Sequence, residues 1–115
     1  MYKTLIYGIK NCDTIRKALK WLTEHDIEYS FHDYKKNGVT NEFLLDCCKK
    51  NDWQLILNKK SRIFKQLSID ETTLDQKAAI DLMIQYPSII KRPILFYKDK
   101  YHFGFSLEQY QSIFF

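Results

Sequence analysis

Cys12 is the residue of this chain best placed to do chemistry. It stands in Tyr7-Gly8-Ile9-Lys10-Asn11-Cys12-Asp13-Thr14, where a short apolar strand gives way to a helical pattern. A thiol at that junction faces the unpaired N–H groups of a helix's first turn, and the positive end of the dipole favours the thiolate. The residues that follow are Asp13, Thr14 and Ile15, so the second cysteine of a CxxC pair is absent and a redox cycle needs its second thiol from elsewhere. Lys10 and Arg16 add positive charge nearby, and Asn11 and Asp13 give the thiol a polar flank. Arg92-Pro93 precedes a later apolar strand. An X-Pro bond there can be cis and fix a tight bend, and the arginine offers a forked, permanently charged donor to a thiolate or a bound oxyanion. Asn58, Lys60 and Arg62 form a polar break in a helical stretch, with donors suited to an anion or a carboxylate.

These residues need elements to hold them. Leu5, Ile6 and Tyr7 read as a strand ending at Gly8, followed by a helix from Thr14 with Ile15, Ala18, Leu19 and Leu22 on one side, and with Asp13 or Thr14 as N-cap. A second strand is expected over Ile27 to Asp33, where Ile27, Tyr29 and Phe31 alternate with polar residues. This βαβ start implies a parallel pair. Lys35 to Gly38 reads as a turn, and Thr40 opens a helix carrying Phe43, Leu44, Cys47 and Cys48. A short helix, a loop and another short helix are expected between Trp53 and Leu67. A longer helix, capped by Thr72 or Thr73, ends before Pro87. Ile94 to Tyr97, a turn at Lys98-Asp99-Lys100, and Tyr101 to Phe103 make a hairpin, and Ser106 starts a last helix with Tyr110, Ile113 and Phe114 on its apolar side.

Composition sets the outer bounds. The chain has 115 residues, 45% of them hydrophobic and 16% aromatic, which suits one compact domain and argues against disorder. The first seven residues lack the apolar stretch of a secretory signal, and no run approaches the length of a membrane span, so a cytoplasmic protein with no membrane partner is expected. Three cysteines, two of them adjacent, do not make a disulfide framework. Cys47 and Cys48 read as packing residues, the alternative being that one of them resolves a disulfide with Cys12. His25, His32 and His102 show no metal-ligand spacing, so no metal is expected. The net charge of +4 is spread among acidic residues, which favours small anions or acidic partner surfaces over nucleic acid.

Together, Tyr7 to Thr14, Phe31-His32-Asp33-Tyr34, Ile90-Lys91-Arg92-Pro93-Ile94-Leu95 and Gly104-Phe105-Ser106 resemble the arsenate reductase (ArsC) family, especially its YffB-like branch, in order along nearly the whole chain. The resemblance implies an α/β, thioredoxin-like fold (βαβ…ββα), a single domain over 1–115 with an all-helical insertion at about 40–87. It implies that Cys12 is the nucleophile and that Arg92, ahead of a cis Pro93, stabilises it. Where arsenate-reducing members look like using three arginines, this chain has Asn58, Arg92 and Gly104, with Lys60 a nearby cation. Spx-type regulators share the fold and typically carry a CxxC switch that this chain lacks. The function implied is a glutathione-dependent thiol reductase with a monothiol mechanism. It would hold no bound cofactor and take glutathione as co-substrate, with glutaredoxin as a protein partner. Lys10, Asn11, Asn58, Lys60 and Pro93 would bind glutathione or substrate. The alternatives are a non-enzymatic Spx-like regulator that binds RNA polymerase, and an arsenate reductase proper.

Overall fold

The computed structural model describes residues 3–115. Four strands, β1 (Leu5–Gly8), β2 (Ser30–Asp33), β3 (Ile94–Tyr97) and β4 (Lys100–Phe103), form one sheet in the order β2-β1-β3-β4. Seven helices accompany them: α1 (Asp13–Glu24), α2 (Tyr34–Asn37), α3 (Asn41–Lys50), α4 (Trp53–Ile56), α5 (Arg62–Gln66), α6 (Gln76–Gln85) and α7 (Leu107–Phe114), with 3-10 turns at Glu71–Thr73 and Pro87–Ile89. β1 runs parallel to β2 and antiparallel to β3, and β3 pairs antiparallel with β4. This is the βαβ, helical middle and ββα order of a thioredoxin-like α/β fold. The chain divides into two compact units, one built from residues 3–33 and Arg92–Phe115, the other from Tyr34–Lys91. Among the described residues no helix is long and apolar enough to cross a membrane.

In the first unit, Ile6 of β1 and Leu95 of β3 lie side by side in the register, and both are fully buried with Ala18 and Leu22 of α1 and Tyr110 of α7. One sheet face therefore carries both helices. Burying each of the larger aliphatic side chains, Ile6, Leu22 and Leu95, contributes about 1.5–3 kcal/mol. Gly8 lets α1 approach: a Cβ there would run into Ile15 Cδ1 and lie 2.9 Å from Ile15 Cγ1. The helix ends where Asp26 takes a left-handed conformation (φ 56°) and the Ile27 N–H donates back to Leu22 O at 2.9 Å. That tie to the helix explains why β2 is shorter than expected. The ladder with β1 begins only at Ser30, whose N–H reaches Thr4 O at 3.0 Å. Across the hairpin, Lys98 and Asp99 both have positive φ (52° and 62°), the hand of turn that matches sheet twist, and β4 resumes at Lys100, one residue earlier than alternation suggested.

In the second unit, Leu44 and Cys47 of α3, Ile56 of α4, Phe64 of α5 and Ile80 and Met83 of α6 are buried. The residue after α4 is joined to the unit's last residues by a bridge between Leu57 and Ile90, flanked by Asn58 N–H to Ile89 O (2.7 Å) and Lys91 N–H to Ile56 O (2.8 Å). Lys35 to Asn37 belong to a helical turn closed by Gly38 at φ 76°, where the sequence suggested a simple turn. The expected capping by Thr72 or Thr73 is also corrected. Asp70 accepts from the Thr72 N–H at 3.0 Å and holds the pair in a 3-10 turn, so α6 starts later, with Asp75 accepting from the Ala78 N–H at 2.9 Å.

Candidate active site at the end of the sheet

Cys12 is itself the N-cap of α1, correcting the expectation of Asp13 or Thr14. Its backbone is extended (φ −128°, ψ 128°), its carbonyl accepts from the Arg16 N–H at 3.0 Å, and its side chain makes no capping hydrogen bond. An N-cap side chain ordinarily supplies an oxygen to the N–H groups two and three residues on. Here that position holds a half-buried free thiol, so the first-turn N–H groups have no side-chain oxygen on them from the cap. They are donors for a thiolate or for an oxyanion bound against it.

The register brings the other candidates of this unit to the same end. Gly8 pairs with Asp33, Tyr7 with Ile94, and Ile94 with Phe103. The loop from Ile9 to Cys12, the end of β2, the Arg92-Pro93 peptide and Gly104 therefore all lie at one end of the sheet. The Arg92-Pro93 bond is cis, as the resemblance implies, with Pro93 buried and Arg92 half-buried. Pro93 O accepts from the Gly104 N–H at 2.9 Å, and Gly104 has φ 83°, a conformation that an L side chain adopts only with strain. Lys10 and Asn11 are exposed in the turn before Cys12. Arg16 differs from its reading as a spare cation: its guanidinium donates to Asp13 Oδ1 at 2.9 Å, an exposed i,i+3 pair that adds no net charge beside the thiol.

Asn58 and Lys60 belong to the second unit. Asn58 Oδ1 accepts from the Lys60 N–H at 3.2 Å, and Asn58 O from the Ser61 N–H at 3.2 Å, so this asparagine shapes its own turn. Lys59 pairs with Glu71 at 3.0 Å, while Lys60 is exposed with no acidic partner among the described residues. Cys47 and Cys48 are both on α3. Burial, with further contributions from Cys48 and Asp46, pushes the Cys47 thiol well above the ordinary thiol range, and burial also raises Cys48. Cys47 is inert packing under ordinary conditions. Among the described residues no group of three or more His, Cys, Asp and Glu side chains is placed to hold a metal ion. Sequence reasoning missed that Cys12 occupies the cap position. The signal was available, since no Ser, Thr, Asp or Asn immediately precedes Asp13.

The model of the ArsC family matches residues 7–113. The chain belongs to the ArsC family. Within it the YffB-like branch fits best: a solved protein named YFFB is 41% identical, covers 96% of this chain and 97% of its own, and superposes with a TM-score of 0.87. An arsenate reductase (ArsC) related protein from Brucella melitensis is also 41% identical, with 97% and 94% coverage and a TM-score of 0.78. A global transcriptional regulator Spx of Streptococcus agalactiae is 27% identical over 104 residues, covering 89% of this chain and 76% of that protein. This ArsC-family chain thus shares sequence with proteins described as reductase-related and with proteins described as regulators.

Proposed function

We propose that this protein is a monothiol reductase that uses glutathione as co-substrate. The observation that carries the reading is Cys12 at the N-terminus of α1 with no side-chain cap, at the end of the sheet that also holds Arg92 and Pro93. The Cys12 thiolate attacks one sulfur of a substrate disulfide, forming a mixed disulfide and expelling the other sulfur as thiolate. Glutathione thiolate then attacks the substrate sulfur of that mixed disulfide, regenerating the Cys12 thiolate and carrying the substrate away as its glutathione disulfide. An external second thiol is supported by the absence of a CxxC partner after Cys12 and by burial, which disfavours Cys47 and Cys48 as thiolates. Arg92 and the first-turn N–H groups stabilise negative charge at the reacting sulfur, and Lys10, Asn11 and Pro93 contact the substrate or glutathione. Glutaredoxin is the protein partner that would then remove glutathione from the released substrate.

Mass spectrometry after incubation with glutathione disulfide tests this. One glutathione on Cys12, absent from Cys12→Ser and formed about tenfold more slowly in Arg92→Ala, is the expected result, the slowing reflecting loss of a charged hydrogen bond. A chain that takes up no glutathione at Cys12 would sink it. Arsenate as substrate is disfavoured by Asn58 and Gly104 where the resemblance calls for arginines, and the check is that arsenate fails to protect Cys12 from alkylation. The identity to Spx regulators supports a second reading, a non-enzymatic module that binds RNA polymerase. Stoichiometric capture of polymerase that survives Cys12→Ser favours the module.

A further inference from the structure

Beside the first turn of α1 a cleft of about 550 Å³ runs along the helix, lined by Thr14, Lys17, Lys20, Trp21, Phe105 and Leu107. It starts two residues from Cys12 and extends as far as Glu24, a length of about 15 Å at 1.5 Å per residue. An extended peptide of about five residues fills that length. The floor is aromatic, from Trp21 and Phe105. The rim carries Leu107, 65% exposed at the first position of α7, where nothing in helix formation asks for a bare leucine. The wall is cationic over the half nearer Cys12, and Glu24 puts one carboxylate at the far end. Lys17 and Lys20, one helical turn apart, both line the cleft, and neither is in an ion pair among the described residues, whereas Arg16 on the same helix is neutralised by Asp13. An apolar floor with two unpaired ammonium groups is complementary to a segment that alternates carboxylates with apolar side chains. A small oxyanion would use the lysines and leave Leu107 and the aromatic floor idle.

We propose that this cleft docks an extended acidic and apolar segment of a protein, which makes protein disulfides the substrate class of Cys12; the inference rests on the reductase reading. The carboxylates of the segment sit on Lys17 and Lys20, an apolar side chain lies between Leu107 and Phe105, and the end near Thr14 delivers the reacting sulfur to Cys12. The test uses isotope-labelled Cys12→Ser protein, so that binding is read without thiol exchange. It is titrated with two end-blocked pentapeptides, one alternating aspartate and leucine, the other lysine and leucine. The aspartate peptide should shift the amide resonances of Thr14, Lys17, Lys20, Phe105 and Leu107 saturably, and the lysine peptide should leave them in place. Adding Lys17→Glu and Lys20→Glu should weaken the aspartate peptide at least about fivefold, and adding Leu107→Ser should weaken it without changing its salt dependence. Equal responses to both peptides, or shifts confined to other surfaces, overturn the proposal. The two readings separate cleanly. A Cys12 glutathione adduct without peptide binding removes the docking groove alone, whereas peptide binding without an adduct removes the reductase.

Discussion

Thr40, Asp75 and Ser106 each set a side-chain oxygen 3.1, 2.9 and 3.0 Å from a first-turn N–H of a helix, while Cys12 holds the same position on α1 and makes no such bond. A cap oxygen contributes about 1 kcal/mol, so the thiol is kept at a cost in stability. Cys12→Ser restores the oxygen on an extended backbone already suited to capping. The variant should be more resistant to urea by about 1 kcal/mol while forming no glutathione adduct. Urea melts beside adduct mass spectra check both halves, and a serine variant no more stable than the parent would mean the first-turn donors are satisfied some other way. The opposite movement of stability and reactivity is the signature of a residue retained for chemistry.

At the scale of elements, α1 is held by a close approach and a strained end. Gly8→Ala would drive a Cβ into the buried Ile15 side chain, at a cost of about 1–3 kcal/mol. Because Ile15→Val removes the offending Cδ1, the cost of Gly8→Ala in that background should fall by about 1 kcal/mol. Strict additivity in a double-mutant cycle would show that Gly8 serves something other than this contact. Asp26 closes the same helix in the left-handed region, so Asp26→Gly should stabilise by about 0.5–1 kcal/mol, measured by the same melts. Much of this layer was legible in the chain. The strand-loop-helix around Cys12, the oxygen caps at Thr40 and Ser106 and the hairpin turn all follow from local chemistry that acts within a few residues. What was not legible depended on competition between neighbours. Ile27 has the alternation of a strand yet is claimed by the helix end, and Asp70 ties up Thr72 before it can cap α6. The site divides in the same way. Cys12 and Arg92-Pro93 could be read from type and position, but the pairing of Arg16 with Asp13 and the turn-forming role of Asn58 depend on side-chain geometry.

Across the whole molecule, each unit buries an ionisable group that the unfolded chain would expose. Cys47 of the second unit is raised chiefly by burial, and so is Tyr110 of the first, whose hydroxyl is buried with no hydrogen-bond partner. The folded state holds both protons at pH values where the unfolded chain releases them, at about 8.5 for a thiol and about 10 for a phenol. Folded protein then binds more protons than unfolded, and stability falls as pH rises through those values, by up to about 1.4 kcal/mol per pH unit for each group. Stability should therefore be intact at neutral pH and decline above about pH 9, steepening past pH 10 as Tyr110 joins. Below about pH 6.5 a gentler loss is expected, because burial and Lys100 depress the ionisation of His102 and the unfolded state then takes up the extra proton. Tyr110→Phe isolates one contribution. It removes a hydroxyl that is costly to bury, keeps the ring between Trp21 and Phe105, and should stabilise by about 1 kcal/mol at neutral pH. It should also flatten the alkaline limb past pH 10 while leaving the decline that begins near pH 9, which belongs to Cys47. Urea unfolding of parent and variant at neutral and alkaline pH reads all of this. An alkaline limb unchanged by the substitution would assign the loss to the thiols alone, and would imply that the Tyr110 hydroxyl finds a partner in solution.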